Sequence, residues 1–138
     1  MKLHGARSVI DLDEVLPLDG DSRFEMLYAD GRLNLEIFYE KDDAPGECKR
    51  TIGFLGARYF IKTPFPGYSF FSEGRDISLL NSLVEYGQSE LLAMVAAAPG
   101  GESLRHYRLF LHSSKVAIHV VAQSCEMLDE VLVDRQLV

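Results

Sequence analysis

The residues best equipped for chemistry in this chain are His106, Arg108 and His119. His106 and Arg108 sit two apart in one strand-like segment, and His119 lies in the next, beyond Ser113-Ser114. If the segments pair as a hairpin, all three side chains leave one face, because side chains alternate along a strand. Arg108 then stands opposite His119, with Cβ atoms roughly 5 Å apart. A guanidinium offers a fork for an oxyanion and an imidazole adds a proton-dependent donor, so the group fits a small-molecule or anion site. His112 falls farther out, near the turn, and a metal would need a third ligand that the pattern does not supply. The bland alternative is the wet polar face of a half-buried antiparallel sheet.

Two other groups invite the same question. Glu25 and Glu36 are predicted to face each other across adjacent strands. They are either an acid/base pair of the kind glycosidases use, or carboxylates neutralised by Arg32, Arg23 or an arginine of the neighbouring strand. If both hairpins shared one sheet with aligned polar faces, Glu25, Glu36, Arg108 and His119 would converge as a ligand- or anion-binding cluster. Phe65, Tyr68, Phe70 and Phe71 lie between and just after two closely spaced prolines, Pro64 and Pro66. Turned outward they form a patch for a partner; folded inward they plug the sheet. Cys48 lies beside Lys49 and Arg50 with no histidine base near in sequence, which favours a structural role for it. No Walker loop, dinucleotide-binding glycine motif, zinc-protease motif or serine elbow is present. The reading therefore assigns no catalytic residue, no metal and no cofactor, and leans away from an enzyme.

The elements that must position these residues are legible in part. Arg23–Ala29, Asp30-Gly31 and Arg32–Tyr39 read as a β-hairpin, since Asp-Gly suits a turn in which both central residues need positive φ. That turn pairs Tyr28 with Leu33, Met26 with Leu35 and Phe24 with Ile37 on one apolar face. A second hairpin, Leu104–His112 and Lys115–Gln123, pairs Leu111 with Val116, Leu109 with Ile118 and Tyr107 with Val120. Lys49–Lys62 is rich in strand formers broken by Gly53 and Gly56, and Glu130–Val133 is a short final strand. Ser89 is a good N-cap for a helix over 89–98. The stretch 77–86 fits helix or strand. Three Pro-Gly pairs, at 45–46, 66–67 and 99–100, mark turns, and the acidic stretch Asp11–Asp21 reads as a solvated loop or short helix.

Composition bounds the rest. With 14 basic against 21 acidic residues, the chain carries a formal charge of −7 and lacks the field that drives nucleic-acid binding. Its longest clean apolar run, Leu91–Ala98, is far too short for a membrane helix. The first residues show no secretory pattern and the two cysteines stand far apart, so a cytoplasmic setting is expected. These features predict a single compact α+β domain over 1–138, with a mainly antiparallel sheet built from two β-hairpins plus further strands and one or two short helices packed on or beside it. The expected function is a non-enzymatic protein-interaction module, whose partner is a protein with a basic surface or a second copy of the chain. In acidic balance, size and layout the chain resembles toxin-neutralising immunity proteins, a likeness of type that no residue motif carries. The alternative is a small-molecule or anion-binding domain, or an enzyme, using the His/Arg face.

Overall fold

The computed structural model of the chain describes residues 1–17, 20–41, 44–67, 70–74, 76–99 and 103–133. Strands dominate them: β1 Lys2–Asp11, β2 Arg23–Ala29, β3 Arg32–Lys41, β4 Ala44–Leu55, β5 Tyr59–Pro64, β6 Ser72–Glu73, β7 Ser82–Ser89, β8 Arg105–Leu111, β9 Val116–Ala122, β10 Ser124–Met127 and β11 Val131–Leu132. Among the described residues the only α-helix is α1, Glu90–Ala96, and Leu12–Glu14 and Ile77–Leu79 form single 3-10 turns. One sheet runs β5-β9-β8-β7-β1-β6 and the other β10-β4-β3-β2, with β11 also on β4. The α+β expectation is therefore wrong. The chain is a mostly β, curled half-barrel, and its larger sheet is mixed, because β1 pairs with β6 in parallel. No described helix is long and apolar enough to cross a membrane.

Both hairpin registers hold. Phe24 faces Ile37, Met26 faces Leu35 and Tyr28 faces Leu33, while Arg108 faces His119 and Leu109 faces Ile118. The hairpins lie in different sheets, however, packed face to face. Leu33, Leu35, Ile37, Ile52 and Phe54 of the smaller sheet meet Tyr107, Leu109, Leu111, Ile118 and Val120 of the larger one in the main core. One other expectation changes, and two stretches left open by the sequence acquire their elements. Residues 82–89 are a strand, while the 3-10 turn Ile77–Leu79 is capped by Asp76. Pro45-Gly46 lies inside β4 and is no boundary between elements. Lys2–Asp11, where the sequence pattern predicts no strand, form β1.

What joins the two sheets is a bent ribbon. β4 runs on into β5 and β9 into β10; β5 pairs with β9 in one sheet, and β4 with β10 in the other. At the bend Gln123 N–H donates to Leu55 O at 2.9 Å and Arg58 N–H to Val121 O at 2.9 Å. Strands that switch sheets need a local kink, and Gly56 supplies it with φ +63°. Gln123 lies over Gly56, where an added Cβ would come within 2.6 Å of its Cδ. We expect Gly56→Ala to cost about 1–2 kcal/mol, mostly from the left-handed backbone, and to lower the thermal unfolding midpoint by several degrees. An unchanged midpoint would show that the kink tolerates a side chain.

Candidate functional site

The larger sheet has a second face, and His106, Arg108 and His119 are on it. It is not wet. Phe65, Phe71, Leu79 and helix α1 cover it: Phe65 stacks on Phe110, and Leu3, Val84, Tyr86, Leu91, Leu104 and Val121 are buried against Phe71, Leu79 and Val95. All three candidate side chains are buried beneath this layer. Polar groups in such a place must be satisfied within the protein, because an unpaired buried donor or acceptor is costly.

Arg108 spends its donors inside the fold. Nε donates to Tyr86 Oη at 3.1 Å, Nη2 to Glu73 Oε2 at 3.2 Å and Nη1 to Leu79 O at 3.4 Å. Tyr86 Oη in turn donates to the same Glu73 oxygen at 2.8 Å, and burial above all raises its hydroxyl well above the ordinary tyrosine range. The guanidinium carbon lies 3.9 Å from the centre of the Phe110 ring, whose stacking partner is Phe65 at 3.8 Å. An incoming anion would have to displace Glu73 from Arg108.

The histidines form a chain. Leu92 N–H donates to Ser89 Oγ at 3.0 Å, capping α1; Ser89 Oγ lies 2.6 Å from His106 Nδ1; His106 Nε2 lies 2.9 Å from His119 Nδ1. The proton arrangement that uses the Ser89 hydroxyl runs one way: Ser89 donates to His106, and His106 donates to His119. Phe71 stacks on His119 with centroids 3.9 Å apart. Hydroxyl, imidazole and orienting group in line is the order that activates a serine nucleophile. Here the imidazole would have to accept a proton against burial and against the nearby Arg108 charge, the two causes that push His106 down to about 4. His119 is lowered too, first by burial and then by His106 and Arg108. The arrangement seals a polar seam and holds both rings neutral.

The other candidates are scattered. Glu25 and Glu36 do face each other, but in the smaller sheet, so they do not converge with Arg108 and His119. Arg23 pairs with Glu25 at 2.9 Å and Lys49 with Glu36 at 2.6 Å, which is neutralisation by neighbours. Phe65 and Phe71 fold inward as described, Phe70 is 76% exposed, and Tyr68 lies outside the described residues. Cys48 is buried and Cys125 half-buried, both free thiols. No group of three or more His, Cys, Asp or Glu side chains among the described residues could hold a metal ion. Sequence reasoning missed Glu73, Tyr86 and the link from Ser89 to His106. The available signal was the near-continuous apolar character of Leu109–Leu111 and Val116–Ala122, which marks strands buried on both faces. Comparison of the chain with protein-family models, with curated proteins and with solved structures gives no match.

The depressed histidines make stability depend on pH. Because the fold holds His106 below its ordinary value, its contribution is complete above about pH 6.5 and is lost as pH falls toward about 4. That loss amounts to roughly 3 kcal/mol for a shift of this size. Urea denaturation should show stability declining across this window, with a shallower decline in His106→Asn. A profile flat from neutral pH down to about 4 would contradict a buried neutral ring.

Proposed function

We propose that the chain is a non-enzymatic protein-interaction module that takes an extended segment of a basic protein partner along the free edge of β2. The observation that carries this reading is the open seam of the half-barrel. Among the described residues β2 pairs only with β3 and β5 only with β9, and no strand pairing joins β2 to β5. Side chains alone bridge them: the Tyr28 and Phe60 rings are 5.3 Å apart, and Lys62 Nζ lies 5.6 Å from the Phe24 ring centre.

Exposed strand edges are templates for another strand, and proteins usually blunt them with lysine, proline or a bulge. β5 has Lys62 and Pro64. Arg23–Ala29 has neither residue type, and its register with β3 is regular throughout. Leu27 and Tyr28 are 52% and 51% exposed on this strand. Added-strand recognition draws affinity from main-chain hydrogen bonds and selectivity from alternate side chains, which the exposed apolar residues would contact. The charge of −7 favours a basic partner, whose encounter it would speed.

A random short-peptide display library selected against the full chain tests the reading. Binders should shift the amide resonances of Arg23–Ala29 and of residues 59–63 and weaken as salt is raised. They should also lose about tenfold in affinity when Leu27→Lys places a charge on the edge. Binders that all map to other surfaces would overturn it.

A further inference from the structure

Helix α1 is tied to the larger sheet through the serine that begins it. Ser89 Oγ accepts from Leu92 N–H at 3.0 Å and lies 2.6 Å from His106 Nδ1, so one hydroxyl both caps the helix and meets the buried ring. The helix seats Leu91 against Leu104 and Val121. Leu104 stands two residues before the fully buried His106, and Val121 is its cross-strand partner. The main core lies between the two sheets and contains no residue of α1. The helix can therefore leave without parting the sheets.

The charged and titratable groups around His106 are few among the described residues. They are Arg108 of β8, paired with Glu73 of β6; His119 of β9; and Tyr86 of β7, 4.8 Å away between ring centres. α1 brings apolar Leu91, Leu92 and Val95 to this layer, its Glu90 being exposed, and Met1 brings an ammonium that donates to Phe70 O. Neutral His106 accepts from the Ser89 hydroxyl and donates from Nε2 to His119. A proton added at Nδ1 turns that acceptor into a donor. The Ser89 oxygen would then have to accept from Leu92 and His106 together, and its own hydrogen would lose its acceptor. A charged ring in this buried layer is costly as well, and Arg108 adds repulsion. Water around an undocked helix removes both penalties.

We propose that α1 is an acid-released cover: a proton on His106 cancels the hydrogen bond through which Ser89 holds the helix down, and α1 leaves β8 and β9 while both sheets keep their strands. The closed form disfavours the protonated ring and the open form does not, so acid favours opening. No residue of β2 takes part, and the cover and the strand edge stand or fall separately.

Hydrogen exchange of the full chain tests the proposal, followed by NMR from about pH 6.5 to about pH 4.5 and corrected for intrinsic rates. Exchange reads openings too rare to move ring resonances. The amides of Leu92–Ala96 should be less protected than those of Leu35 and Ile52 in the main core. Their protection should fall about five- to tenfold per pH unit across this window. His106→Asn should cut that slope to less than about twofold per unit, while His4→Asn, at an exposed position on β1, should leave it intact. The first two readings need only the wild-type chain, so they decide even if His106→Asn does not fold. Helix protection that does not change with pH, helix amides as protected as the main core at every pH, or a slope that survives His106→Asn would each overturn the proposal.

Discussion

The larger sheet is covered on both faces, and most of what is distinctive in this molecule follows from that constraint. One face meets the smaller sheet across the main core; the other lies under α1, Phe71 and Leu79. A strand face with no access to water cannot carry polar groups cheaply. Yet β8 and β9 carry two histidines and an arginine on the covered side, so the covering residues and the neighbouring strand β7 have to answer them. Glu73 and Tyr86 answer Arg108, Ser89 answers His106, and Phe71 lies flat on His119. The residue types that suggested an anion site are thus bound to one another. Such a network is specific as well as costly, because taking away one member of a buried ion pair strands the other.

The same covering explains which parts of the structure were legible. Both hairpins could be read to the residue, since Asp30-Gly31 fixes one turn and apolar alternation fixes each register. β7 was ambiguous: Leu80, Leu83 and Val84 have helical spacing, but Leu83 faces the main core and Val84 the covered layer. A strand buried on both sides shows no alternation to find. β1 was missed because exposed and buried positions are irregular along it and Gly5, at φ +66°, interrupts it. The placement of the two hairpins in different sheets is a long-range matter, set by the bend at Gly56 and Gln123, and no local pattern states it.

With the polar face sealed, the surface we propose for recognition is the edge of β2, where no described strand other than β3 pairs and Leu27 and Tyr28 lie open. Glutamates on the sheets are largely met by lysine and arginine.

The claim on which this account rests is that His106 and His119 form a neutral, buried pair serving the fold. Their ring nitrogen resonances, followed from about pH 7.5 down to about pH 5, test it most directly. The account predicts that both rings stay neutral throughout, with His106 donating through Nε2 to His119 Nδ1. Either ring titrating with a midpoint near about 6.5, the ordinary histidine value, would contradict it and reopen the face to solvent and ligand.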